Sequence, residues 1–171
     1  YSVAPGGRVA CTVTAQDDFS NEAKHLFRDS VTSAYRVGVV MGTYRILLLT
    51  SGTPHGEIRP VSGTATTVSI AMTMSAQDLS GGFMGPICFY QQGYGFSLQL
   101  QDDGTYSLVQ VSPQGEVMAT LATAMLDGYD QSTNVRLRLD CTWGQDASTV
   151  TGWVDTHQIG PSQDQASALR N

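Results

Sequence analysis

The stretch Gly93-Tyr-Gly-Phe-Ser-Leu-Gln-Leu-Gln101, running through Asp102-Asp-Gly104 into Thr105-Tyr-Ser-Leu-Val-Gln-Val111, decides the fold class. Tyr94, Phe96, Leu98 and Leu100 alternate with Ser97, Gln99 and Gln101, the period of two that a strand with one buried face requires. A helix would scatter the same residues around its circumference. Asp103-Gly104, set between two such runs, is the strongest hairpin mark in the chain.

The same period recurs on either side. In Thr67-Val-Ser-Ile-Ala-Met-Thr-Met74, Val68, Ile70, Met72 and Met74 share one face. In Val135-Arg-Leu-Arg-Leu-Asp-Cys141, Val135, Leu137, Leu139 and Cys141 point one way, and Arg136, Arg138 and Asp140 the other. Turn formers punctuate these runs: Gly42-Thr43, Ser51-Gly52, Pro113-Gln-Gly115, Asp127-Gly128 and Gly144-Gln-Asp146. Many short strands joined by tight turns predict an all-β protein, an antiparallel sandwich or barrel. Only Asn21 to Asp29 has helical character, with Asn21 as cap and Leu26 and Phe27 on its apolar side, so at most one short helix is expected.

Composition narrows the class of partner. The 171 residues suffice for one sizeable core, and the polar ends suggest an N-terminal arm over residues 1–16, a domain over 17–160 and a tail over 161–171. Only 14% of residues are charged and 41% are apolar, which excludes a highly charged disordered segment. The net charge of −6 offers no basic surface to neutralise a nucleic-acid backbone, so no nucleic-acid partner is expected. Membrane insertion is not expected either, because the longest apolar run, Ile46-Leu-Leu-Leu-Thr50, falls far short of the ~20 residues a spanning helix needs. Lys24 is the only lysine among nine basic residues, a profile associated with export from cells with Arg-favouring genomes. A chain that begins at Tyr1 reads as a processed form or an excised domain. The three cysteines, Cys11, Cys88 and Cys141, allow one disulfide with an odd thiol, or three buried thiols.

A family resemblance joins these pieces. Asp17-Asp-Phe-Ser20, Gly42-Thr-Tyr-Arg-Ile46, Pro86-Ile-Cys88, Tyr94-Gly-Phe96, Asp103-Gly-Thr-Tyr106 and Arg136-Leu-Arg-Leu-Asp-Cys141 occur in the order found in bacterial extracellular modules of the concanavalin A-like lectin/glucanase superfamily, the laminin-G-like jelly rolls. The chain resembles that family over about residues 17–160 and departs from it at Gly152-Trp-Val-Asp-Thr156, where a Tyr-Val-Asn-Gly turn is usual. The resemblance implies two antiparallel sheets packed face to face in a jelly roll, an extracellular location, and a disulfide between Cys88 and Cys141 joining neighbouring strands. Cys11 then remains over, buried or joined to a neighbouring chain.

Catalytic chemistry finds little support. Glucanases of this superfamily carry Glu-x-Asp-x-x-Glu on one strand, because acid and nucleophile must stand close together on one face. Glu22, Glu57 and Glu116 are scattered instead, and none alternates with an aspartate. Gly-x-Ser-x-Gly, His-Glu-x-x-His and Cys-x-x-Cys are all missing, and His25, His55 and His157 stand in unrelated contexts. The chain is therefore read as a non-enzyme without a cofactor, a glycoside hydrolase being the least favoured reading. Calcium would call on Asp17 and Asp18, or Asp102 and Asp103; it wants six to eight oxygens, and these aspartates read more simply as turn formers.

What remains is a surface. Residues out of phase with the core, Gln99, Gln101, Arg136, Arg138, Asp140 and Trp153, are expected on exposed faces. Trp153 lies between Gly152 and Val154, out of step with Val150 and Val154. A tryptophan beside Gln and Arg suits sugar binding: the ring stacks on apolar sugar faces while amide and guanidinium groups meet the hydroxyls. Trp153, Arg136, Arg138, Gln99 and Gln101 are thus the candidate ligand-binding residues. The leading reading is a non-catalytic extracellular module for a glycan or another cell-surface component, such as a surface protein. The alternative is a structural subunit of an extracellular filament or coat, in which copies of the chain join through the N-terminal arm.

Overall fold

The computed structural model describes residues 2–3, 9–10, 17–21, 27, 29–41, 43–49, 67–79, 81–89, 94–144 and 147–164. Among these there is no helix, and every strand pairing is antiparallel. The helix expected over Asn21 to Asp29 falls largely outside the described residues, as do Cys11, His25 and His55. The chain divides into two compact units, residues 1–64 and 65–171, a boundary inside the segment 17–160 read above as one domain.

In the first unit, β1 (Ser2–Val3) pairs with β2 (Val9–Ala10), so these residues of the arm find their ladder partners within the arm. A separate sheet runs in the order β3 (Ser30–Val31), β4 (Tyr35–Val40), β5 (Thr43–Leu48). Val37 of β4 is buried, and Tyr44 of β5 stacks on Phe19 with ring centroids 5.6 Å apart. Along β5 and just beyond it, Ile46, Leu47, Leu48 and Leu49 remain exposed.

The second unit holds two larger sheets. One is formed by β7 (Phe83–Met84), β8 (Ile87–Phe89), β9 (Gly95–Gln101), β10 (Thr105–Val111) and β11 (Val117–Met125), in the order β11-β10-β9-β7 with β8 also on β9. The other is formed by β6 (Thr67–Met74), β12 (Val135–Trp143), β13 (Ser148–Val154) and β14 (His157–Asp164), in the order β14-β13-β12-β6. The backbone of β14 continues as strand into the segment 161–171 read as a tail.

Alternation explains how the two sheets share one core. Phe96, Leu98, Leu100 and Leu108 come from the first sheet and Leu137, Leu139, Cys141, Val150 and Val154 from the second; none is measurably exposed. Val68, Ile70, Met72 and Met74 of β6 pack at its margin, opposite Cys141, Leu139, Leu137 and Val135 in register. The result is sandwich-like, with each inner face supplied by every second residue.

Turn chemistry sets the registers. After β9, Gly104 takes a φ of 84°, which glycine adopts without penalty, and the Thr105 amide donates to Asp103 Oδ1 at 2.7 Å. This amide bond holds the Asp103 carboxyl below its ordinary pKa, and the Ser132 amide and hydroxyl do the same for Asp130. A carboxyl whose folded pKa lies below its unfolded one stabilises the fold above the ordinary carboxylate range, and that contribution fades as pH falls through the folded value. Asp103→Asn is accordingly expected to flatten the acid side of the stability–pH curve. Chemical denaturation at pH 7 and below pH 4 checks this, and an unchanged acid limb would count against the turn's role.

Cys88 of β8 and Cys141 of β12 form a disulfide closing a separation of 53 residues. It crosses the core from one sheet to the other, whereas the resemblance implies a bridge between neighbouring strands. Both cysteines sit on inward phases of their strands, at 4% and 0% exposure, so the interior is where their side chains meet.

Gly152 shows how closely the layers approach. A Cβ there would lie 3.0 Å from Leu108 Cδ2 and 3.1 Å from both Leu98 Cδ1 and Ile159 Cγ2. Valine at this position overfills the core, and Gly152→Val is expected to cost about 1–3 kcal/mol in a denaturation experiment. A neutral result would mean that the sheets stand further apart than described.

Candidate functional site

The outer face of the β6–β12–β13–β14 sheet is built from the residues the core leaves out. On β12 these are Arg136, Arg138, Asp140 and Thr142; Ser69, Ala71 and Thr73 flank them on β6, and Thr151 and Trp153 on β13. Arg138 stands directly opposite Trp153, and Trp153 opposite Gln158 of β14. Small side chains on β6 leave the arginines and the indole as the tall features of this face.

A chain of contacts orders it. Ser69 Oγ donates to Asp140 Oδ1 at 2.6 Å. Asp140 in turn grips the Arg138 guanidinium with both oxygens, Nε to Oδ1 at 2.9 Å and Nη2 to Oδ2 at 2.6 Å. So held, the guanidinium lies 4.6 Å from the centroid of the Trp153 ring. A surface ion pair of this kind adds little to stability, but its two-point geometry fixes a plane. The indole is thereby positioned from beneath by a partner that cannot swing freely.

The turn after β13 completes the site. Asp155 takes a φ of 53°, a left-handed conformation that aspartate tolerates better than most side chains. Its amide donates to the Arg136 carbonyl at 2.7 Å, and its Oδ1 accepts the Arg136 amide at 2.9 Å. Asp155 therefore extends the β12–β13 ladder by one rung while turning its carboxylate toward the arginine row. Arg136, Arg138, Trp153 and Asp155 line a surface cavity of about 170 Å³. Within it, the Arg136 guanidinium and the second oxygen of Asp155 make no hydrogen bond or ion pair with any described residue.

Three of the five residues expected from sequence, Arg136, Arg138 and Trp153, thus lie together. Gln99 and Gln101 do not join them, because both stand on β9 in the other sheet. Gln99 is moreover buried, at 7% exposure, where its phase had suggested an exposed face. Both faces of β9 and β10 are withdrawn from water: Ser97, Val109 and Val111, on the same outer phase, are buried too. Polar alternation marks which residues avoid the core, not which reach solvent. Ser97 Oγ meets the Pro86 carbonyl at 3.3 Å, an instance of a polar group buried with its partner.

Asp155 escaped the sequence reading, although the signal was present. The segment Gly152-Trp-Val-Asp-Thr156 departs from the turn usual in the modules the sequence resembles, and an aspartate at a turn beside an outward tryptophan is a polar group placed at the edge of a stacking surface.

Of the aspartates considered for calcium, Asp17, Asp18 and Asp103 bond within their own turns and Asp102 ties its turn to the loop at Gly81. Asp17 Oδ1 accepts the Phe19 amide at 2.7 Å, Asp18 Oδ1 the Ser20 amide at 3.0 Å, and Asp102 Oδ2 the Gly81 amide at 3.0 Å, beside the Asp103 contact described above. Among the described residues no three His, Cys, Asp or Glu side chains are grouped to hold a metal ion.

The fold and this face define an all-β, disulfide-linked protein with an aromatic and charged cavity on an outer sheet face. No family model, curated protein or solved structure matches the chain.

Proposed function

We propose that the protein is a non-catalytic extracellular module that recognises a glycan through the outer face of its four-stranded sheet. The observation that carries this reading is the cavity at Trp153, where an indole ordered by Arg138 lies beside an unpaired guanidinium and a carboxylate. Sugar rings present an apolar face and a rim of hydroxyls, which these groups complement. The Cys88–Cys141 disulfide supports an oxidising compartment. The two sheets sharing a core support the concanavalin A-like jelly roll that the motif order suggested. Immobilised glycans tested with the wild type and with Trp153→Ala check the reading. Binding of at least one glycan that the variant loses is expected, and no glycan signal in the wild type would refute it.

The second reading, a structural subunit of an extracellular assembly, draws on β5 and the residue that follows it. Ile46, Leu47, Leu48 and Leu49 are 43–55% exposed, so both faces at this end of the strand present large apolar side chains to water, a feature associated with protein contacts. Sedimentation across a wide concentration range separates the two: an assembly subunit associates with itself, and Leu47→Glu abolishes the association. A module that binds only sugar stays monomeric throughout.

A further inference from the structure

Resting on the glycan reading above, we infer that the cavity takes the neutral, uncharged terminal ring of a glycan rather than an acidic sugar. Two features of the four lining residues carry this.

The first is charge balance with separation. Arg138 is already neutralised by Asp140, which leaves Arg136 and Asp155 as the groups that meet a ligand. They carry opposite charges, both line the cavity, and they make no ion pair with each other. Asp155 Oδ1 is engaged with the Arg136 backbone amide, so its second oxygen is open to a ligand's donor in place of water, and the guanidinium to a ligand's acceptor. A pair of neighbouring hydroxyls supplies both from one neutral molecule. A uronate or sialate would satisfy Arg136 but set its own carboxylate against Asp155, on a protein whose net charge is already −6.

The second is size. Sites for drug-sized ligands enclose roughly 300–1,000 Å³. The 170 Å³ here is about half the lower bound and suits one ring at a chain end, stacked on Trp153, with the remainder of the glycan in solvent.

The left-handed backbone of Asp155 fits this role. Such a conformation persists where the surroundings over-determine it, and here it brings the carboxylate to the cavity while its Oδ1 holds the ladder. Asp155→Asn keeps an acceptor for the Arg136 amide and a residue tolerant of positive φ, yet removes the charge.

The test is an array of immobilised glycans ending in neutral pyranoses, in uronates or in sialates, probed with wild type and Asp155→Asn. Wild type is expected to bind neutral termini and ignore the acidic ones. Asp155→Asn is expected to weaken neutral binding about tenfold, the difference between a charge-assisted and a neutral hydrogen bond. If acidic termini bind as well as neutral ones, or if Asp155→Asn strengthens or leaves unchanged the binding of neutral ones, the inference is overturned while glycan recognition stands. If no terminus of any kind binds, both fall together. The selectivity of the wild type is decisive by itself should the variant fold poorly.

Discussion

Replacing both Cys88 and Cys141 by alanine is expected to lower the stability of the protein by about 4 kcal/mol, the chain-entropy value for a loop of this length. The bridge closes 53 residues and is a covalent tie between two sheets that otherwise meet through side-chain packing and the Tyr94–Ser148 hydroxyl contact at 3.0 Å, so its loss frees the unfolded chain without a compensating gain. A domain of ordinary stability has only about 5–15 kcal/mol to lose. The doubly substituted protein should therefore unfold at much lower denaturant, and reduction of the wild type should move the midpoint in the same direction. Alanine is the suitable replacement because both positions are buried and a serine hydroxyl would arrive there without a partner. A shift below about 1 kcal/mol would mean that the inter-sheet bridge is not a principal tie of this fold.

The other large effect falls on binding and should leave the fold alone. Trp153 lies half-buried on the outer face, outside the core, and its removal forfeits the contact with Arg138, a cation–π interaction of about 0.5–1 kcal/mol, together with part of its packing on that face. Loss of the stacking platform costs the ligand far more, because interface energy concentrates in a few aromatic anchors whose truncation removes about 2 kcal/mol or more. Trp153→Ala is thus expected to weaken glycan affinity at least ~30-fold with an almost unchanged unfolding midpoint, the factor following from 1.4 kcal/mol per decade. Calorimetric titration beside a denaturation curve reads both quantities. A variant that loses stability and affinity in proportion would assign Trp153 to the core instead.

How far the sequence could be read depended on whether side-chain period and burial coincided. On β12 they did: Val135, Leu137, Leu139 and Cys141 are buried, and Arg136 is exposed, as their phase required. The Asp103-Gly104 hairpin was equally readable, because φ at Gly104 and the Asp103 side chain are local chemistry that needs no tertiary partner. β11 was not: Val117 to Met125 mixes Met, Ala and Thr on both phases, and pairing with β10 and two register shifts, rather than its own pattern, define it. Gln99 misled because the paired strands β9 and β10 are buried on both faces, a fact of tertiary packing that alternation cannot signal. The site was half readable for a related reason. Trp153 and Arg138 stand opposite each other on adjacent strands, with Arg136 two residues along β12 on the same face, whereas Asp155 reaches them only through a turn geometry that the sequence leaves open.

The protein has two tryptophans, and Trp143 is buried at 5% exposure in the core. Trp143→Phe leaves Trp153 as the sole emitter, and acrylamide quenching of its fluorescence reports directly on the outer sheet face. As a glycan-array ligand is titrated to saturation, the account predicts that the indole becomes shielded and quenching falls, with the same midpoint as binding measured by calorimetry. Full binding of the glycan with quenching unchanged would place the ligand elsewhere and contradict the claim that Trp153 is the recognition surface.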